Sequence, residues 1–309
     1  MKTRIRRIAQ KSAARPDLLA VLLAAALWAV GALLQLPAGE GPRYIREDLR
    51  IPTADGRQTL AVTILRPRGN GPFGAIVLNH GVPLTAEARR EESPELLLHT
   101  AAAFVQRNYA VVLPLRRGFG ATGGTFAEDA GPCSNPDYRR GESAAAADVL
   151  AAYEFARRLP YVDGSRMILA GQSAGGVAAL YAAAQAPRGL AAVLAFAAGR
   201  GGNPVRHPGV PCAVESVADV FGQLGALVQA PVLLHYAEND HYFGPATSRG
   251  WFQRFKAGGA RAEYILQPAF GQDGHYLFSD SHGVRLWLPN VERFLERHGI
   301  PFDTPKQRA

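Results

Sequence analysis

The sequence predicts an α/β protein, a parallel sheet covered by helices on both faces. From Tyr44 onward, short apolar segments alternate with helical stretches, the pattern that builds parallel sheets. Several of the short segments, such as Ala75 to Leu78 and Ala191 to Ala197, are apolar at every position, as burial on both faces requires. With 309 residues, 48% hydrophobic and 19% charged, the chain can bury one large core and does not resemble a disordered one.

Taken in order, Leu60 to Leu65 reads as a strand stopped by Pro67 and Gly69. Ala75 to Leu78 is a second strand, followed by a helix from about Glu95 to Arg107. Tyr109 to Leu113 is a strand. Glu142 to Arg158 is helical, with Ala147, Leu150, Ala151, Phe155 and Leu159 near a helical period. Met167 to Ala170 is a strand leading into a helix from Ala174 to about Ala186. Ala191 to Ala197 is a buried strand. A Gly/Pro-rich stretch from Gly199 to Ala213 is the one long insertion, placed to act as a small lid or wall. The remaining elements are a helix at Val217 to Leu227, a strand at Val232 to Tyr236 and a helix at Ser248 to Lys256. A strand at Ala262 to Leu266 and a helix at Leu286 to Arg297 close the chain. No internal repeat and no second domain is visible, so residues 39–309 are expected to form one domain.

The formal net charge of +8 raises the question of a nucleic-acid or membrane partner. Of the 34 basic and 26 acidic side chains, six basic and one acidic precede residue 39, which leaves the rest at +3. That is ordinary for a globular domain, and only short pairs such as Arg157-Arg158 occur in it. No nucleic-acid partner is expected, since a binding footprint needs clustered Lys and Arg on the folded part. The basic head, an uncharged run from Leu18 to Leu34 and Pro37-Ala38-Gly39 read as an export signal. Residues 1–38 are therefore expected to be a cleaved signal peptide or an uncleaved membrane anchor. Residues 18–34 are the only segment expected to touch a membrane. The positive head places the rest outside the cytoplasm, periplasmic, secreted or anchored. Cys133 and Cys212, the two cysteines, both lie in Pro/Gly-rich loops. In an exported chain they can form one disulfide, while two unrelated thiols is the alternative.

Gly171-Gln172-Ser173-Ala174-Gly175 follows an apolar strand and opens an alanine-rich helix. This is G-x-S-x-G in strand–turn–helix context, the turn that lifts a nucleophilic serine above a sheet. The glycines at 171 and 175 are needed because larger side chains would clash in so tight a turn. A serine hydroxyl needs a base to take its proton, and the expected order is Ser, acid, His. Asp240 lies just past the strand Val232 to Tyr236, and His275 lies in the loop after the last strand. Glu238 is the rival acid and His282 the fallback base. His235, inside a strand, reads as a packed core residue, and His241 as a lining residue. The oxyanion donors are expected to be the backbone N–H groups of Ala174 and Val82. Val82 sits in Leu78-Asn79-His80-Gly81-Val82-Pro83, where Pro83 has no N–H to give. Each such donor contributes about 3 kcal/mol to the transition state. His80 reads as a structural residue beneath that loop. No metal ligand spacing is present.

With Leu78-Asn79-His80-Gly81, the run Arg116-Arg117-Gly118-Phe119-Gly120-Ala121-Thr122-Gly123-Gly124, the elbow, Glu238-Asn239-Asp240 and Gly274-His275, residues 55–298 resemble the α/β-hydrolase superfamily. Within it they resemble the dienelactone-hydrolase-like and prolyl-oligopeptidase-like branch. The resemblance implies an eight-stranded, mostly parallel sheet and a Ser-His-Asp mechanism without cofactor or metal. Dienelactone hydrolases carry cysteine where this chain has Ser173, so the expected activity is hydrolysis of small-molecule esters. The alternatives are a prolyl-oligopeptidase-like peptidase and a non-catalytic binding module. Arg116 and Arg117 are expected either to pair with buried acids or to face an anionic substrate. The aromatic residues after the acid and the base, Tyr242, Phe243, Tyr276 and Phe278, read as packing.

Overall fold

A computed structural model of the chain describes residues 44–303. The expectations for residues 1–38, signal or anchor, lie outside the described residues. Eight strands form one sheet: β1 (Tyr44–Pro52), β2 (Thr59–Pro67), β3 (Phe73–Asn79), β4 (Tyr109–Pro114), β5 (Val162–Gln172), β6 (Leu190–Phe196), β7 (Val232–Ala237) and β8 (Ala262–Gln267). Their spatial order is β1-β2-β4-β3-β5-β6-β7-β8. β1 and β2 pair antiparallel, as do β2 and β4, and all later pairings are parallel. The helices are α1 (Ala86–Arg90), α2 (Leu98–Val105), α3 (Tyr138–Ala156), α4 (Ala174–Ala183), α5 (Val214–Leu227), α6 (Pro245–Ala257) and α7 (Val284–Arg297).

Side-chain alternation divides the core between the two faces of the sheet. On β3, Ala75 and Val77 join Val149 of α3, Val177 of α4, Phe221 of α5 and Trp251 of α6. The intervening Ile76 and Leu78 join Phe104 of α2 with Trp287 and Phe294 of α7. Burial of each large apolar side chain contributes about 1.5–3 kcal/mol. The consequence for function is directional. β3, β5, β6, β7 and β8 all run the same way, so the loops after them gather on one edge.

Local chemistry sets the ends of several elements. Asp137 caps α3 by accepting the Arg140 N–H at 3.0 Å. Pro245 occupies the first turn of α6, where its missing N–H costs nothing. Three elements depart from the sequence reading, the first being the short helix α1, where no helix was expected. β1 was not expected, because the charged residues Arg46, Glu47, Asp48 and Arg50 of this edge strand mask its apolar alternation. The expected helix from Glu95 begins instead as a 3-10 turn, Pro94–Leu97, before α2 takes over.

Candidate active site

The turn between β5 and α4 carries the serine. Ser173 has φ +57° and ψ −128°, a conformation that favours glycine and is strained for any other residue. Neighbouring glycines make the turn possible. A Cβ on Gly171 would lie 2.3 Å from the Gly175 carbonyl oxygen, and one on Gly175 would lie 2.2 Å from that of His80. The first turn of α4 therefore presses against the end of β3. Among the described residues the Ser173 hydroxyl has no hydrogen-bond partner. It opens into a cavity of about 410 Å³ lined also by His80, Gly81, Val82, Glu92, Tyr242 and His275.

His275 sits in a 3-10 turn, Gly274–Tyr276, in the loop after β8. Its Nδ1 lies 3.1 Å from each carboxylate oxygen of Asp240. A carboxylate only accepts, so Nδ1 bears the proton and Nε2 is left with its lone pair. Both side chains are buried. Asp240 Oδ1 also accepts the N–H groups of Tyr242 at 2.8 Å and Phe243 at 2.9 Å, which fixes the carboxylate in the loop after β7. Glu238, two residues earlier, is exposed. His282 pairs with Asp280 at the surface. His235 is packed against Phe196, as its place in a strand implied. His241 does not line either cavity at Ser173, contrary to expectation; its N–H donates to Asp273 instead.

Three supports of His275 were not anticipated from the sequence. Gln172 Nε2 donates to the His275 carbonyl at 2.6 Å. Asp273 Oδ1 accepts the His275 N–H at 3.0 Å. The Tyr242 ring stacks on the His275 imidazole with centroids 4.0 Å apart. Asp273 followed two residues later by His275 was a readable turn signal. The other two depend on tertiary contacts.

Ala174 is the first residue of α4 and Val82 lies in the loop after β3, and both border the space around Ser173. First-turn N–H groups of a helix lack intrahelical partners. The Val82 N–H likewise has no acceptor among the described residues. Arg116 and Arg117 resolve the earlier choice in favour of buried acids. Arg116 pairs with Glu128, both fully buried, and Arg117 with Asp148.

A second cavity of about 280 Å³ meets the first at Val82, Pro83, Ser173 and Tyr242. Cys133 and Cys212 form a disulfide in its wall, with Cα atoms 5.7 Å apart. The bridge joins the loop before α3 to the end of the Gly199–Ala213 insertion, as expected. It closes a 79-residue span, which the chain-entropy account values at about 4 kcal/mol. Glu92 lines the first cavity with a buried carboxyl. Burial raises its pKa to about 7, partly offset by Arg116. Among the described residues, no cluster of His, Cys, Asp or Glu is placed to hold a metal ion.

This sheet order, with a serine elbow at its central strand and a His–Asp pair at neighbouring strand ends, defines an α/β-hydrolase. The chain belongs to the X-Pro dipeptidyl-peptidase (S15) family, whose sequence model matches residues 55–260. Among solved structures it is similar to the acetyl xylan esterase of Paenibacillus sp. R4, 16% identical over 85% of this chain and 86% of that one, TM-score 0.58. An esterase of Pyrococcus furiosus is 14% identical over 83% and 91%, also with TM-score 0.58. The acylaminoacyl peptidase of Pyrococcus horikoshii is 16% identical over 90% of this chain, with TM-score 0.59, but this chain spans only 44% of its length. At such identities the likeness shows the fold. No curated protein sequence matches the chain. The protein is a hydrolase of the esterase or peptidase kind.

Proposed function

We propose that the protein hydrolyses small-molecule esters through an acyl-enzyme formed on Ser173. His275 Nε2 takes the Ser173 proton as the oxygen attacks the carbonyl, and later returns it to the leaving alcohol. Asp240 holds the imidazole tautomer and stabilises its charged form. The Val82 and Ala174 N–H groups receive the oxyanion. Water then attacks the acyl-enzyme by the same route, and no cofactor is required. The observation that carries the reading is that His275, paired with Asp240, lines the same cavity as Ser173. Apolar lining by Val82, Pro83, Leu96 and Leu97 suits an acyl group there.

Peptide hydrolysis is the second reading, favoured by the family match over residues 55–260. Purified protein assayed on p-nitrophenyl esters and aminoacyl anilides separates the two. Turnover of the esters well above the anilides is expected. The reverse ranking overturns the ester reading, and turnover that survives Ser173→Ala overturns both.

We also propose that the protein is exported, soluble or anchored through residues 18–34. Its disulfide fits an oxidising compartment, and among the described residues no helix is long and apolar enough to cross a membrane. Fractionation that finds the intact chain soluble in the cytoplasm contradicts export.

A further inference from the structure

The Gly81–Val82 peptide is gripped from its carbonyl end. The Gly81 oxygen lies 2.7 Å from His80 Nδ1 and 3.4 Å from Arg116 Nη2. A carbonyl only accepts, so His80 carries its proton on Nδ1. Its Nε2 is then free to accept the Arg116 backbone N–H at 3.3 Å. Both ring nitrogens are satisfied only in the neutral form. Burial, with the Arg116 charge beside it, holds the His80 pKa well below the usual histidine value. Phe119 packs edge-on against the ring, with centroids 4.5 Å apart.

Arg116 completes the grip. Its Nη1 donates to the His80 carbonyl at 2.8 Å. Glu128, buried with it, neutralises its charge. Arg200 lies 3.6 Å from the other side of Glu128 and 3.1 Å from Glu142, so the guanidinium stands in a four-membered buried ionic cluster. Two carbonyls in succession, His80 and Gly81, are thus fixed by one rigid fork.

A trans peptide is planar, with its C=O and N–H pointing to opposite sides. Fixing the Gly81 oxygen in this buried grip therefore turns the Val82 N–H away from it. That N–H has no acceptor among the described residues. The grip lies beside the elbow, since a Cβ on Gly81 would stand 3.2 Å from Ser173 Cβ. Pro83 biases Val82 toward an extended conformation and supplies no competing donor.

We propose that His80 and Arg116 are positioning residues that fix the Gly81–Val82 peptide plane, so that the Val82 N–H is aimed at the oxyanion before substrate arrives. The proposal rests on the reading of Ser173 as nucleophile and Val82 as donor. Neither His80 nor Arg116 exchanges a proton with substrate. Their effect reaches the chemistry only through one peptide bond.

The test compares His80→Asn with His80→Gln. An asparagine amide nitrogen falls near the Nδ1 position and can still hold the Gly81 carbonyl. A glutamine amide reaches the Nε2 position, serving the Arg116 N–H while releasing that carbonyl. His80→Asn should keep kcat on a p-nitrophenyl ester within about tenfold of wild type. His80→Gln should lose about 100-fold or more in kcat with little change in KM, the signature of a lost oxyanion donor. Affinity for phenylboronic acid, which places a tetrahedral oxygen at that donor, should fall in parallel. Arg116→Met combined with Glu128→Gln removes the buried pair without leaving a lone charge, and should lower kcat and boronate affinity together. It serves as the readout if a His80 variant does not fold. Equal kcat in the two His80 variants, or losses that follow thermal stability while boronate affinity is unchanged, would overturn the proposal. Wild-type protein that a fluorophosphonate does not label at Ser173 would instead overturn the reading beneath it.

Discussion

Gln172 and His275 are joined by a hydrogen bond: the Gln172 side-chain amide donates to the His275 carbonyl at 2.6 Å. The residue immediately before the proposed nucleophile thus anchors the backbone of the proposed base, across 103 residues of sequence. The distance between serine and imidazole is then set partly by one side chain of the elbow itself.

Replacing Gln172 with Ala should loosen the base while leaving Ser173 in its turn. Misplacement on the scale of 1 Å costs about 100-fold in such reactions. The expected outcome is a fall of about 10- to 100-fold in kcat on p-nitrophenyl acetate. Gln172→Glu should do no better, because a carboxylate cannot donate to a carbonyl. Steady-state kinetics of the two variants check this, and a wild-type rate in either would remove the anchor from the account.

The acid can be assigned by comparing two neighbours. Asp240→Asn should lower kcat by about 10,000-fold, since the amide can stabilise neither the required tautomer nor the charged imidazole. Glu238→Gln should change it by less than about twofold, because Glu238 is exposed and does not meet His275. The opposite ranking would transfer the role to Glu238.

Much of this was visible beforehand, and the reason is local. The strands β3 to β8 are short apolar runs bounded by turn residues, and the elbow announces itself through two glycines that the turn cannot do without. The contact between Asp240 and His275 and the disulfide followed from where their loops leave the sheet. β1 was hidden because the charged run Arg46-Glu47-Asp48 on an edge strand looks like surface in any fold. Tyr242 read as packing, and it packs by stacking on His275 while also bordering both cavities. The Gln172 anchor and the hold of Arg116 on the Gly81 carbonyl join residues distant in sequence. Nothing in the local pattern distinguishes them from ordinary polar residues.

Strain at Ser173 gives a stability prediction independent of turnover. Its φ of +57° suits glycine, and releasing a conformation of this kind recovers about 1 kcal/mol. Ser173→Gly should therefore melt higher than Ser173→Ala, by a few degrees, with both inactive. Differential scanning calorimetry reads the order, and a lower melting point for the glycine variant would contradict the strain.

Glu92 makes stability depend on pH. Its carboxyl titrates near 7 in the folded chain against an ordinary 4.5, raised first by burial. The folded state therefore holds the proton more tightly than the unfolded state. The stability this contributes is fully present below about pH 4.5 and is lost as pH rises through about 7. Glu92→Gln should leave stability near pH 4 almost unchanged and raise it near pH 8, by at most about 3 kcal/mol. Denaturant melts at the two pH values measure it, and an equal effect at both would show that Glu92 ionises normally.

The central claim is that Ser173 is a nucleophile activated by His275. Labelling with a fluorophosphonate followed by peptide mapping tests it most directly, because only an activated serine reacts. One equivalent of label should be found on the peptide containing Ser173, and labelling should be abolished in Ser173→Ala and slowed at least 1,000-fold or so in His275→Ala. Folded wild-type protein that takes up no label, or takes it up at another residue, would contradict the account.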